Sequence, residues 1–214
     1  YNDKTRTKEY RLLDKNIMSH FDKRADEWDK GDMQVQGARK IAEAINVKIA
    51  LNSKMEILDF GIGTGLLGFE IAKKVNKIFG VDTSAKMLEK VALKNTPECS
   101  ITTYCQDIIE EPLIMQFDGL VSSMTLHHIK DLEAYFTTIY KNIKEGGFIA
   151  IADLESEDGT FHSDNTGVFH FGFDEHKLCD LVKKCGFKDV VFENINTIEK
   201  PQRNFGVFLL SAQR

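Results

Sequence analysis

The sequence predicts an α/β fold in which a mostly parallel sheet carries helices on both faces. Three observations predict it. A buried strand is followed by a glycine-rich turn and a helix at Met55–Val75, short apolar runs then alternate with helical stripes as far as Ala152, and two β-rich runs follow near the end of the chain. Strands that alternate with helices form parallel βαβ units. The two final runs are separated by a short polar turn and predict an antiparallel pair.

Each element is justified by the spacing of its apolar residues. Helices are predicted where apolar residues recur every three or four positions, and strands where short apolar runs lie between glycine, proline or polar clusters. The predicted helices cover Val35–Ile45, Leu66–Val75, a segment capped by Thr83 or Ser84 that runs to about Lys94, a segment from Leu132 that ends at Gly146-Gly147, and Asp174–Lys184. The predicted strands cover Met55–Phe60, Lys77–Asp82, Ile101–Tyr104, Phe117–Ser122, Phe148–Ala152, Val190–Ile198 and Phe205–Ala212.

Length and composition exclude several classes of function. A chain of 214 residues is long enough for one domain with a full core. The net charge of −5 offers no basic field for a nucleic acid, and no apolar run approaches the ~20 residues that span a bilayer. The four cysteines lack the C-x-x-C spacing typical of zinc sites, so no metal is expected. We therefore expect a cytoplasmic protein with reduced thiols, no membrane or nucleic-acid partner, and an oligomeric state that the sequence leaves open.

The glycine-rich turn is the strongest functional signal. Gly61, Gly63 and Gly65 follow the first strand at alternate positions, where they let the backbone turn and let a ligand approach closely. A strand, a glycine turn and a helix in this order form a cofactor site at the carboxyl edge of a parallel sheet.

Two cofactor classes fit these glycines. Gly63, Gly65 and Gly68 match the dinucleotide pattern G-x-G-x-x-G, and Asp82 lies 19 residues beyond Gly63, where an acid binds a ribose hydroxyl. However, Asp59 closes the strand beside the loop, where a carboxylate would repel a pyrophosphate. Such a carboxylate suits a cationic ligand, an ammonium or a sulfonium. The alternative is that Asp59 only accepts hydrogen bonds from the loop.

Five segments in order resemble the motifs of class I S-adenosylmethionine-dependent methyltransferases of the small-molecule type. They are Glu56–Gly65, Val81-Asp82, Gln106-Asp107-Ile108, Phe117–Ser123 and Lys144–Phe148, and the similarity runs from about Phe21 to the C-terminus. The resemblance implies a Rossmann-like, doubly wound, mostly parallel seven-stranded sheet with an antiparallel C-terminal strand. It also implies an enzyme that transfers a methyl group from S-adenosyl-L-methionine to a small-molecule acceptor and releases S-adenosyl-L-homocysteine.

The resemblance also divides the chain. Residues 1–33 are expected to form an arm and lid over the cofactor, and residues 34–214 a single methyltransferase domain. Ile17–Asp29 resembles the segment that lies across the cofactor in the family, and Trp28 either belongs to this lid or anchors the arm on the core. The long polar loop at residues 154–173 is interpreted as the wall of a substrate pocket, because long loops in compact domains are often functional.

The resemblance assigns cofactor roles to particular side chains. Asp82 is expected to accept the ribose hydroxyls, with helix capping as the alternative. Asp107 is expected to bind the adenine amino group and Ile108 to pack on the ring, with a surface turn as the alternative. The full set of expected cofactor-binding residues is Asp59, Phe60, Gly61, Gly63, Gly65, Asp82, Thr83, Met87, Gln106, Asp107, Ile108, Ser123 and Trp28.

Histidines are the candidates for a general base, which is needed if the acceptor is a hydroxyl or an acidic carbon. His128, His127 and His162 are the expected catalytic residues, because a histidine titrates near neutral pH. In the resembling family a histidine at the position of the His127-His128 pair usually supports the loop instead, and this alternative stays open. A metal held by His162, His170 and Asp164 is disfavoured, because their spacing fits no ligand motif. Two other functions remain: a protein that binds the cofactor without turnover, and a nicotinamide-dependent oxidoreductase.

Overall fold

The structure is a computed structural model that describes residues 21–201 and 203–214. Residues 1–20 of the predicted arm and lid, which include the beginning of the Ile17–Asp29 segment, lie outside the described residues. Within the described part, no helix combines the length and the apolar character needed to cross a membrane.

Seven strands form one mixed sheet in the described part of the chain, in the order β3-β2-β1-β4-β5-β7-β6. Strands β1 to β5 are parallel, and β7 runs antiparallel to both β5 and β6. The predicted fold class, the mixed sheet and its antiparallel C-terminal strand are therefore confirmed. The strands are β1 (Glu56–Phe60), β2 (Lys77–Asp82), β3 (Ile101–Cys105), β4 (Phe117–Ser123), β5 (Ile143–Leu154), β6 (Lys188–Lys200) and β7 (Arg203–Gln213).

Helices alternate with the parallel strands, and three of them begin at a side-chain cap. Ser84, Asp131 and Asp174 each accept a hydrogen bond from the backbone N–H three residues further on. The helices are α1 (Asp32–Lys48), α2 (Leu66–Ala72), α3 (Ala85–Lys94), α4 (Leu132–Asn142) and α5 (Glu175–Lys184), with short 3-10 turns at Trp28–Lys30 and Leu126–His128.

An apolar layer covers each face of the sheet. Successive residues of a strand point to opposite faces, so Leu58 and Phe60 join the layer that contains Tyr135, whereas Ile57 joins the layer that contains Ile71. Asp59 therefore shares a face with Ile57.

Some predicted boundaries are wrong. Helix α2 ends at Ala72 rather than Val75, because the chain tightens into a turn in which Lys74 N–H donates to the Ile71 carbonyl. Strand β5 begins at Ile143 rather than Phe148, because Ile143 already pairs with Phe117 before a shift in register. Gly146 and Gly147, which predict the end of the helix that begins at Leu132, therefore lie within the irregular first part of β5.

Candidate active site

One large pocket lies at the carboxyl ends of β1, β2 and β4, where the chain leaves the sheet. It encloses about 1550 Å³, and its walls come from the glycine loop, the 3-10 turn after β4, the loop at residues 161–170, and β6. Phe21 and Trp28, from the N-terminal segment, also line it. A ligand site in this position is typical of open α/β sheets.

The glycine loop brings its backbone close to the pocket. Gly63 has a φ of +54°, and a Cβ built there would meet no atom within 4 Å, so the space beside it is open. Gly65 has a φ of +88°, but a Cβ there would contact the Phe69 ring at 2.9 Å. Gly63 thus leaves room for a ligand, whereas Gly65 serves the turn into α2.

Asp59 is a buried acid on the floor of the pocket. It is only 1% exposed, and its Oδ2 has no hydrogen-bond partner among the described residues. Burial first, and the nearby Asp82 carboxylate second, raise the pKa of Asp59 well above its usual range. A positively charged ligand group would offset this cost, so the site suits a cation better than an anion.

Asp82 holds the loop and the next helix together at the end of β2. Its Oδ2 accepts from the Gly63 N–H at 2.8 Å and its Oδ1 from the Ser84 N–H at 2.8 Å. Burial raises the pKa of Asp82, although these N–H groups oppose the shift. The helix cap itself is Ser84, whose hydroxyl accepts from Met87. Each carboxylate oxygen retains a lone pair with which to accept a ligand hydroxyl.

In the loop after β3, Ile109 lines the pocket rather than Ile108, the residue that the sequence predicted to face the ligand. Asp107 is exposed and lines the pocket, and its Oδ1 accepts from the Ile109 N–H at 2.8 Å. Ile108 is 0% exposed and packs in the core, while Ile109 lines the pocket. The turn closed by Asp107 places the second isoleucine, not the first, beside the ligand space.

The structure brings most of the predicted site residues together. Gly65 and Ile108 are not among the residues that line the pocket. The predicted residues that do line it are Asp59, Phe60, Gly61, Gly63, Asp82, Thr83, Met87, Gln106, Asp107, Ser123, Trp28, His127, His128 and His162.

The N-terminal segment is fastened over the glycine loop by acidic side chains. Asp22 accepts from the Ser84 hydroxyl at 2.6 Å, and Asp29 accepts from the Thr64 hydroxyl at 2.5 Å. Two ion pairs add to these bonds, Asp26 with Lys90 and Asp29 with Lys94.

His127 forms a buried pair with Asp153, the residue near the end of β5. The distance from His127 Nδ1 to Asp153 Oδ1 is 2.7 Å, and the two residues are 1% and 0% exposed. Burial alone would raise the pKa of Asp153, but His127 and the backbone N–H groups of Leu154 and His127 hold it below its usual range. This contact with Asp153 fixes the orientation of the His127 ring. The buried Nε2 of His127 has no hydrogen-bond partner among the described residues.

His128 and the carbonyl of His127 hold the long loop in place. His128 Nδ1 lies 2.7 Å from the Gly167 carbonyl oxygen, and the His127 carbonyl accepts from the Phe169 N–H at 2.9 Å. Burial, followed by the neighbouring His127, lowers the pKa of His128 to about 4. His128 is therefore neutral at physiological pH and supports the loop.

His162 lies in a row of rings that ends at Lys200. Its ring centroid is 4.9 Å from that of His127 and 4.8 Å from that of Phe161, and Lys200 Nζ lies 4.0 Å from the Phe161 centroid. Burial, then the charges of His127 and Lys200, lower the pKa of His162 to about 4. Its buried Nε2 has no partner in the described part of the chain.

Sequence reasoning missed two residues near the histidines, Asp153 beside His127 and Lys200 over the Phe161 ring. Asp153 is visible in the sequence as the acid after the fifth strand, but nothing there indicates that it faces His127. Lys200 belongs to no motif. Over residues 21–201 and 203–214, no group of three His, Cys, Asp or Glu side chains is arranged to hold a metal.

Comparisons with known proteins agree with this geometry. The family model described as "Methyltransferase domain" matches residues 57–147. An uncharacterized methyltransferase of Schizosaccharomyces pombe is 33% identical over 180 residues, which cover 76% of this chain and 62% of that protein. A malonyl-[acyl-carrier protein] O-methyltransferase of Priestia megaterium is 28% identical over 154 residues, which cover 70% of this chain and 55% of that protein. The chain thus spans less than two thirds of the length of these two relatives.

Among solved structures, the phosphoethanolamine N-methyltransferase 2 of Haemonchus contortus in complex with S-adenosyl-L-methionine has the same fold. It aligns with a TM-score of 0.66 at 18% identity, over 91% of this chain and 60% of that one. By its sequence matches and its strand order, the chain is similar to the class I S-adenosylmethionine-dependent methyltransferases and has their fold.

Proposed function

We propose that the chain transfers a methyl group from S-adenosyl-L-methionine to a small-molecule acceptor. One observation carries this proposal: Asp59, Asp82 and Asp107, from the ends of three neighbouring strands, line one pocket beside the open face of Gly63. This arrangement suits a cationic nucleoside better than a pyrophosphate, because the buried Asp59 carboxylate lines the pocket and its Oδ2 has no hydrogen-bond partner among the described residues.

The residues of the pocket fit the cofactor in distinct ways. Asp59, with its unpartnered Oδ2, would hold the methionine end, and Asp82 would accept the ribose hydroxyls while keeping its bonds to the loop. Asp107 and Ile109 would face the adenine. Residues 1–33 would serve as the lid. Residues 21–33 of this segment are described, and among them Phe21 and Trp28 line the pocket.

Bound S-adenosyl-L-methionine supplies a methyl group that its sulfonium already activates. As the acceptor's nucleophile took this methyl group, the electron pair of the carbon–sulfur bond would stay on sulfur, and Nε2 of His127 would accept the nucleophile's proton. Among the three candidate histidines, His127 fits a general base best, because Asp153 orients its ring and its Nε2 remains unpartnered. Alignment of two bound reactants contributes about 7–11 kcal/mol to such reactions.

The size of the pocket favours an enzyme over a protein that only binds the cofactor. Pockets for one small molecule usually enclose about 300–1,000 Å³, and this one encloses about 1550 Å³. The additional space, near the three histidines, would receive the acceptor.

Calorimetry with S-adenosyl-L-homocysteine and NAD tests the proposed cofactor. We expect binding of the former and none of the latter, and a preference for NAD would replace the methyltransferase by an oxidoreductase. If S-adenosyl-L-homocysteine binds, release of this product with a panel of hydroxyl, amine and carboxylate acceptors tests turnover. Binding without turnover of any acceptor in the panel would favour the non-catalytic alternative.

A further inference from the structure

The pocket has two electrostatic halves. The acids Asp59, Asp82, Asp107 and Glu110 lie in the half formed by β1 to β3 and the loops that follow them. The other half contains Lys200, from the end of β6, and the three histidines. Four more charged residues also line the pocket: Arg24, Lys130, Asp131 and Asp164. The cofactor proposed above occupies the acidic half, so the chemistry of the second half bears on the acceptor.

Lys200 is a partly buried cation without a carboxylate partner among the described residues. Its Nζ donates to the Phe161 carbonyl and lies over the Phe161 ring. Burial lowers the pKa of Lys200, with Glu157 opposing the shift. The carboxylate of Glu157 itself is engaged, because it accepts the backbone N–H groups of Gly159, Thr160 and Phe161. A desolvated ammonium in this setting is stabilised by an anion from outside the chain.

The acids near this half have structural roles. Asp131 accepts from the Ala134 N–H at the start of α4, and Asp164 accepts from both the backbone and the hydroxyl of Thr166. Asp153 is bonded to His127. These hydrogen bonds go to groups other than Lys200, whose Nζ donates to the Phe161 carbonyl.

The histidines connect Lys200 to the reacting end of the pocket. The rings of Phe161, His162 and His127 follow one another from Lys200 inwards, at centroid separations of 4.8 and 4.9 Å. His127 and His162 each have a buried Nε2 that lacks a partner in the described part of the chain. Such buried nitrogens are expected to meet polar groups of a ligand.

We propose that the acceptor is a small oxyanion, a carboxylate or a phosphate monoester, whose charged group lies against Lys200 while its nucleophilic atom faces Nε2 of His127. This inference rests on the methyl transfer proposed above. The flat rings of Phe161 and His162 between the two ends favour an acceptor with a planar or apolar middle.

Binding of matched probes to the protein saturated with S-adenosyl-L-homocysteine tests the charge preference. The probes are 4-hydroxybenzoate against 4-hydroxybenzamide, and phenyl phosphate against phenol, measured by calorimetry. The charged member of at least one pair should bind, and its neutral partner should bind at least about tenfold more weakly, as expected for one charge-assisted hydrogen bond. The pair that responds distinguishes a carboxylate from a phosphate.

Variants of Lys200 test the assigned contact. Lys200→Gln should weaken binding of the charged probe about tenfold and leave the neutral probe unchanged, whereas Lys200→Arg should retain most of the affinity. Lys188→Gln, at the exposed opposite end of β6, is the matched control. Affinity for S-adenosyl-L-homocysteine should stay the same in all three variants.

Two outcomes would overturn the inference: neutral probes that bind as well as charged ones or better, or charged probes whose affinity does not depend on Lys200. Failure of every probe to bind the S-adenosyl-L-homocysteine complex would also overturn it. Failure of S-adenosyl-L-homocysteine itself to bind would instead refute the proposed function, so the two results are distinguishable.

Discussion

Gly63→Ala should abolish most cofactor binding while costing no more stability than the same change at a remote glycine. Gly63 and Gly146 have φ values of +54° and +76°, and a Cβ built at either meets no atom within 4 Å. Gly63 lines the pocket, whereas Gly146 is exposed in the irregular part of β5. The pair therefore separates the effect of a methyl group in the ligand space from the effect of backbone strain.

The magnitudes follow from these two facts. A non-glycine residue in the left-handed region costs about 1–2 kcal/mol, so both variants should lose a similar amount of unfolding free energy. Only Gly63→Ala places a methyl group against the proposed cofactor, and a misfit of this kind costs about 1–3 kcal/mol, or roughly 5- to 150-fold in affinity.

Urea unfolding and calorimetry with S-adenosyl-L-homocysteine measure the two quantities. Gly146→Ala should bind the ligand like the wild type at an equal loss of stability. Equal affinities for Gly63→Ala and Gly146→Ala would show that the cofactor does not lie beside Gly63.

Three further predictions concern the histidines and the N-terminal segment. Asp153→Asn should lower kcat with little change in affinity for S-adenosyl-L-homocysteine. It should also lower the free energy of unfolding by about 1.5–3 kcal/mol, because an amide cannot accept all the N–H groups that the carboxylate accepts. An unchanged kcat would show that His127 is not the base. His128→Asn should make the free energy of unfolding less sensitive to acid. The pKa of His128 is about 4 in the folded protein and 6.5 in the unfolded chain, so the unfolded chain takes up the proton first as the pH falls. Between about pH 7.5 and about pH 5, the wild type should lose about 2 kcal/mol more unfolding free energy than the variant, as measured by urea unfolding. The exposed His176→Asn should show the wild-type pH dependence, and the same dependence in His128→Asn would refute the reasoning. Asp29→Asn should speed dissociation of S-adenosyl-L-homocysteine several-fold in stopped-flow measurements while changing stability by less than about 1 kcal/mol; an unchanged rate would argue against a lid.

The acidic half of the pocket was predictable because its signals are local. Asp59 and Asp82 lie at the ends of short apolar runs that are better explained as strands than as helices, and parallel strands end at one edge of a sheet. The loop after β3 shows the limit of this reasoning. Whether Ile108 or Ile109 faces the ligand depends on the turn that Asp107 closes, and neighbouring apolar residues give no sign of that turn.

The other half of the pocket was not predictable in detail because its contacts join distant segments. Asp153 lies 26 residues from His127, and Lys200 meets Phe161 only through the packing of β6 against the long loop. His127 and His128 were candidate bases only because histidine titrates near neutral pH, which does not distinguish one from the other. Their different environments, a buried carboxylate for His127 and a backbone carbonyl for His128, emerge only from the fold.

The wall formed by the long loop is tied to the sheet mainly through main-chain atoms. The N–H groups of Phe169 and His170 donate to the His127 carbonyl, and Glu155 and Phe173 pair as in a strand. Any amino acid except proline supplies such a donor, so substitutions along this wall alter what the cavity selects without unfastening it. In the proposed methyltransferase, one acceptor can thus replace another during evolution while the binding site of the methyl donor is retained.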